Sequence, residues 1–256
     1  MTVDLRVRFW GVRGAFPVPG SNTLRYGGNT ACVEVRYGDR LLILDAGTGL
    51  RELGNALLRE DAPLDADLFL THAHLGNIMG LLAFAPLARA RNRLRLWAPP
   101  PNGTEDWLSA VMRPPYVPIP LEHMGASVER RMMTPSNTHD LDAGVCITAQ
   151  EFGPTGTAVG LRVDLEEASL VYLPTFASDQ ADTHALVAFA QRTRLLICGG
   201  SAQQAVALAT AAKAERLVLI HHAPEQTDKV LDAVGWDAAT ALPGTEVASE
   251  GLVLRL

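Results

Sequence analysis

The sequence has no run of 18 consecutive apolar residues, so it contains no segment typical of a transmembrane helix. The opening residues, MTVDLR, lack the apolar core of a signal peptide, and we therefore expect a cytoplasmic protein with no membrane partner. Cysteine is scarce, since the chain has only Cys32, Cys146 and Cys198 and no CxxC pair. This spacing excludes a disulfide-rich secreted domain, argues against a thiolate zinc site, and predicts buried free thiols.

The chain also has fewer basic than acidic residues. The chain has 22 basic and 28 acidic residues, a net charge of −6, so we do not expect a nucleic-acid partner, which would require a basic surface. Four arginines, Arg6, Arg8, Arg13 and Arg25, could still form a local basic cleft. We favour the simpler interpretation that they are solvent-facing residues of an edge strand.

What the chain does have is apolar content, 48% of 256 residues, which is enough for a large core and excludes intrinsic disorder. Alternating and continuous apolar runs predict strands at 5–10, 40–44, 67–71 and 217–220, among others. Helical patterns lie between many of these strands, one of them at 80–90. The order predicts sheets covered by helices in a single domain, residues 1–256.

Two histidines, His72 and His74, directly follow the predicted strand at 67–71. Imidazoles at positions i and i+2 after a strand can turn toward one point and hold a divalent metal ion. A lone HxH pair is weak evidence, because such pairs also occur at strand ends by chance.

The surrounding segment, residues 71–80 (THAHLGNIMG), resembles the signature THxHxDHxxG of the metallo-β-lactamase superfamily. Other segments are similar to a bacterial subgroup related to ribonuclease Z and cyclic-nucleotide phosphodiesterases: GVRG (11–14), YGGNT (26–30), LILDAGTG (42–49), PPYVP (114–118), VYL (171–173) and LVLIHH (217–222). The resemblance covers nearly the whole chain. It implies a four-layer αββα sandwich, with two mixed β-sheets face to face and helices outside.

The same resemblance implies that most metal ligands are missing. Active members of the superfamily hold two zinc-type ions with seven ligand positions, of which the resemblance assigns three, His72, His74 and His221, to residues of the expected type, with His222 as a substitute for the last. The other four ligand positions are replaced: Gly76, Asn77, Gly153 and Thr175. These small or neutral residues are expected to leave an open pocket, and reinstating all four ligands is expected to restore metal uptake. Because both carboxylate positions are lost, dinuclear catalysis, which needs a bridging carboxylate and a shared water, is not expected.

Two interpretations of the remaining histidines stay open. They could be residual side chains, hydrogen-bonded at the floor of a former active site, or they could hold one zinc ion with an open fourth position, with Glu151 or Asp179 as an oxygen donor. Asp45 is expected to support this region by hydrogen-bonding backbone amides of its own turn and of the histidine loop.

The sequence therefore predicts a degenerate metallo-β-lactamase-fold protein without dinuclear hydrolase activity. It would act as a binding, regulatory or assembly module and need no cofactor. The alternative is a mononuclear or repurposed hydrolase with one zinc ion, acting on phosphodiesters such as cyclic nucleotides or RNA. The expected partner is an unidentified protein or small molecule, or a second copy that packs against residues 99–120. We expect His123, His139 and His184 to be exposed surface residues.

Overall fold

The structure is a computed structural model that describes residues 5–100, 107–141, 144–152, 159–175 and 182–256. Two seven-stranded sheets form its centre. In spatial order, the first sheet contains β14 (Val253–Arg255), β1 (Leu5–Gly11), β2 (Cys32–Tyr37), β3 (Arg40–Leu44), β4 (Asp65–Phe69), β5 (Arg93–Ala98) and β6 (Ser127–Met132). The second contains β13 (Glu246–Val247), β12 (Leu217–Leu219), β11 (Leu195–Cys198), β10 (Ser169–Leu173), β9 (Val159–Asp164), β8 (Cys146–Glu151) and β7 (Thr138–Asp140).

Helices cover the outer faces of these sheets. They are α1 (Leu50–Glu60), α2 (Leu75–Ile78), α3 (Trp107–Val111), α4 (Thr183–Phe189), α5 (Ala202–Ala212) and α6 (Asp228–Ala241). No helix of the described residues is both long and apolar enough to cross a membrane.

Alternation along the strands creates three apolar layers. In β3, Leu42 and Leu44 lie in the core between the sheets, whereas Leu41 and Ile43 pack on the other face with residues of α1. In β10, Tyr172 faces the core between the sheets, and its neighbours on either side pack with residues of α4 and α5. The four-layer αββα sandwich predicted from the resemblance is thus confirmed.

Several element bounds differ from the predictions. The strand predicted at 67–71 lies at Asp65–Phe69, and the helix predicted at 80–90 is replaced by α2 and two short 3₁₀ helices, Met79–Ala83 and Ala85–Ala88. A proline at 86 and a glycine at 80 explain why no long helix forms there.

Parallel pairing puts the site at one edge. Strands β3 to β6 are parallel to one another, and so are β10 to β13. The loops after β3, β4, β10 and β12 carry the candidate functional residues, since ligand sites in such sheets lie beyond the carboxyl ends of the strands.

Candidate functional site

Three imidazoles from two sheets meet at this edge. His72 and His74 follow β4 of the first sheet, and their ring centroids are 4.5 Å apart at nearly a right angle. His221 follows β12 of the second sheet, and its ring centroid lies 6.2 Å from that of His72. His72 is buried, whereas His74 is exposed to solvent.

Asp45 holds the histidine loop in place through hydrogen bonds. The residue is fully buried at the end of β3, and its carboxylate accepts hydrogen bonds from the Thr71 backbone N–H (2.8 Å), the Thr71 hydroxyl (2.9 Å), Asn77 Nδ2 (2.7 Å) and the Tyr172 hydroxyl (2.8 Å). Burial raises its pKa to about 6, and the donors limit this rise. The expected bond to the histidine loop is present. The backbone amides of the turn at 45–49 donate elsewhere: Thr48 N–H donates to Thr30 Oγ1, and the other four donate to backbone carbonyls.

This network sets the tautomer of His72. Since the Thr71 hydroxyl donates its only proton to Asp45, its oxygen accepts from His72 Nδ1 at 2.8 Å. His72 Nε2 is then a lone-pair acceptor directed away from the Asp45 network. Burial, with His74 nearby, lowers the pKa of His72 to about 4, so the imidazole is neutral at pH 7.

His221 adopts a left-handed backbone conformation, with φ of 65°. Two glycines let its ring fit here, because a Cβ on Gly14 would lie 3.3 Å from His221 Nδ1 and one on Gly199 would lie 3.1 Å from His221 Cβ. His221 Nε2 is buried with no hydrogen-bond partner, and burial lowers the pKa of this residue to about 3. The site thus presents an unsatisfied, neutral imidazole nitrogen.

His222, the predicted substitute ligand, is buried and held elsewhere. Its Nε2 lies 2.8 Å from the Ala248 carbonyl oxygen, and burial lowers its pKa to about 4. This bond joins one ring nitrogen of His222 to Ala248, the residue directly after β13.

The replaced ligand positions differ in what surrounds them. A Cβ on Gly76 would lie 2.6 Å from the Ala15 carbonyl oxygen and 2.8 Å from that of Gly14, so the chain's own backbone closes this position. The expectation of an open pocket at Gly76 is therefore wrong. Thr175 is exposed, with Oγ1 3.5 Å from His221 Nδ1. Gly153, like Asp179, lies outside the described residues.

Asn77 has a structural role at its position. Its side chain is buried, Nδ2 donates to Asp45, and its backbone oxygen accepts from Ala46 N at 2.8 Å. Its Oδ1 is buried without a partner. The residue therefore faces the Asp45 network, and sequence reasoning from the resemblance alone did not reveal this contact.

The loop that closes Gly76, residues 11–29, is held in place by a clamp of polar contacts. Arg13 is fully buried and donates to the carbonyls of Gly27 (2.7 Å) and Gln226 (2.6 Å). Arg25 forms a two-bond ion pair with Asp232 (2.9 and 2.6 Å), and Asp228 accepts from the backbone N–H of Arg25 at 2.9 Å. The interpretation of these arginines as solvent-facing residues of an edge strand is wrong for Arg13, which is buried, and for β1, which carries Arg6 and Arg8 and lies between β14 and β2. Because Arg13 and Arg25 are engaged within the protein, the four arginines also do not form one basic cleft.

The residues that the structure describes do not fit a pair of metal ions. Among the described residues, no three or more His, Cys, Asp or Glu side chains are grouped to hold a metal ion. Asp45 cannot serve as a bridge, because its carboxylate is fully occupied by four donors below the site. Glu151, the predicted oxygen donor, is an exposed residue at the end of β8.

The other histidines lie apart from this edge. His123 and His184 are exposed, as predicted. The prediction of an exposed loop at His139 is wrong, because this residue is in β7 and its ring packs 5.0 Å from that of Trp97.

Comparisons with known proteins support the same fold. A family model described as a beta-lactamase superfamily domain matches residues 40–222. The metallo-beta-lactamase fold protein YhfI from Bacillus subtilis is similar over 100% of both chains, with a TM-score of 0.74 and 17% identity. A diphosphatase from the PhnP family is similar over 98% of both chains, with a TM-score of 0.70 and 18% identity.

Human tRNase Z, short form, is similar over 97% of this chain and 98% of its own, with a TM-score of 0.64 and 17% identity. No curated protein matches the sequence. Identities this low show a shared fold and leave the activity open. The match over residues 40–222 means that the chain belongs to the metallo-β-lactamase superfamily.

Proposed function

We propose that this protein is a degenerate metallo-β-lactamase-fold protein that binds a ligand at the His72, His74 and His221 cluster and does not run dinuclear metal hydrolysis. The main support for this proposal is that the backbone carbonyl oxygens of Gly14 and Ala15 would clash with a Cβ on Gly76. Where the superfamily signature has an aspartate, this chain has no room for a side chain without backbone movement.

The electrostatics of the cluster support the same proposal. The pKa values of His72 and His221, lowered to about 4 and about 3, keep both imidazoles neutral at pH 7. The nearby carboxylate of Asp45 is buried beneath them and has its hydrogen bonds satisfied. A neutral cluster with an unpaired nitrogen on His221 suits a ligand that offers an uncharged group able to hydrogen-bond to this nitrogen.

A phosphodiesterase assay tests this proposal. The parent protein is incubated with bis(p-nitrophenyl) phosphate or a cyclic nucleotide, with zinc or manganese supplied. We expect the parent and His72→Ala to show the same background rate. Metal-dependent turnover that His72→Ala abolishes, and that the exposed-surface control His184→Ala retains, would refute the proposal.

A mononuclear zinc site acting on phosphodiesters is the second candidate. The buried, unpartnered Nε2 of His221 favours it, because this nitrogen is available as a third imidazole ligand beside His72 and His74. The three side chains are not grouped to hold an ion in this structure, so they would have to move closer together to bind one. In that case zinc would bind with one equivalent per chain, as measured by calorimetry. His221→Ala would lose this binding, and His184→Ala would keep it.

A further inference from the structure

A cavity of about 200 Å³ lies next to the histidine cluster and has no assigned role. It opens between the segment that follows His74 and the segment that begins with α3. Ile78 and Leu81 form one wall, Leu108 and Met112 form the other, and all four are buried. The cavity is therefore bounded by the ordered core of the first sheet's helical layer.

The chemistry of the lining is uniform. The described lining residues are Leu, Ile, Met, Val and one Tyr, and none carries a charge. An engineered apolar cavity of about 150 Å³ in another protein stays dry and binds benzene, because water finds no hydrogen-bond partners there. A cavity of about 200 Å³ in this protein is thus matched to one ring or a short alkyl chain.

Among the described residues, the apolar rim of the cavity is smaller than a stable protein interface. Three apolar side chains among the described lining residues are strongly exposed: Leu75 at 61%, Leu82 at 50% and Tyr116 at 71%. A stable protein interface uses about 20–30 residues on each partner. The concave shape and this small apolar rim favour a small molecule as the occupant.

The position of the cavity connects it to the histidines. Leu75, at its mouth, is bonded to His74, whose ring lies 4.5 Å from that of His72. We propose that the cavity is an apolar subsite that takes an uncharged, ring-sized group of a small ligand. The further claim that the rest of this ligand reaches the histidines rests on the proposed function.

Methyl NMR with 4-methylphenol as the probe tests the subsite. We expect saturable shifts of lining Leu and Met methyl groups in the parent and at least about tenfold weaker binding in Leu82→Trp, which fills the mouth. Val230→Trp is the matched control, since Val230 is a half-exposed apolar residue of α6, and it is expected to bind like the parent. Leu75→Asp provides a second weakened variant.

Three outcomes would overturn the subsite. The first is the absence of saturable binding by the parent, and the second is equal binding by Leu82→Trp and the parent. The third is a parent that sediments as a dimer and a Leu82→Trp variant that sediments as a monomer, which would assign the surface to a second copy. Probe binding tests the subsite alone, because 4-methylphenol is to be held by the apolar lining without the histidines. A failure of the proposed function would therefore leave the binding of the probe by the parent unchanged.

Discussion

Adding one methyl group at Gly76 tests whether the loop at 11–29 closes the former ligand position. In Gly76→Ala, the new Cβ would lie 2.6 Å from the Ala15 oxygen and 2.8 Å from the Gly14 oxygen, both backbone atoms. Overpacking of this kind costs about 1–3 kcal/mol. Alanine regains up to about 1 kcal/mol over glycine in a helix, and α2 has only four residues, so the gain is partial.

We therefore expect Gly76→Ala to lower the free energy of unfolding by about 1–2 kcal/mol, a fall in Tm of about 2–8 °C for a chain of this size. Urea denaturation and calorimetry measure both values. Gly20→Ala is the control, because its φ is extended and a Cβ there meets nothing closer than 4.0 Å. If Gly76→Ala were as stable as Gly20→Ala, the loop would not close this position.

Three more predictions concern metal uptake, the hydrogen bond between Tyr172 and Asp45, and the pH dependence of stability. The combined variant Gly76→Asp, Asn77→His, Thr175→Asp, which reinstates three of the four replaced ligands, should take up no second zinc ion, because the backbone of Gly14 and Ala15 closes position 76. Uptake of two ions, measured by elemental analysis, would show that the loop moves away. Tyr172→Phe should lower the free energy of unfolding by about 1–2 kcal/mol in urea denaturation, because Asp45 loses one of its donors. The pKa is lowered to about 4 for His72 and His222 and to about 3 for His221. Below pH 6.5 these histidines therefore take up protons in the unfolded chain before they do so in the folded protein. The free energy of unfolding should therefore fall as the pH is lowered from 6.5 toward 4. Asp45, whose pKa is raised to about 6, opposes this trend, but it is one group against three. Urea denaturation at pH 7 and pH 5 measures the change, and a higher stability at pH 5 would contradict the prediction.

The sheets were predictable because the alternation in β1 and the continuous apolar runs in β3 and β10 match the burial of their side chains on one face or on both faces. The secondary structure of the segment 79–90 was harder to predict. Its apolar residues suggested a helix, but Gly80 and Pro86 interrupt the hydrogen-bond ladder, and burial against α1 holds two short 3₁₀ helices instead. Strand β7 was missed because three residues with no apolar pattern carry little local signal.

In the candidate site, the sequence indicated which residue types were lost but not what occupies the space. The contact of Gly14 and Ala15 with Gly76 joins segments about 60 residues apart, and no local pattern encodes it. The Tyr172 bond to Asp45 crosses from one sheet to the other. Only the inward position of Tyr172 in β10 could have suggested that its hydroxyl needs a buried partner.

We infer that this superfamily member does not hold two metal ions. The decisive measurement is dialysis of the untagged protein against excess zinc, followed by elemental analysis of the metal bound per chain. We expect at most one equivalent of zinc, reduced in His221→Ala. Two equivalents per chain, both lost in His72→Ala, would contradict it.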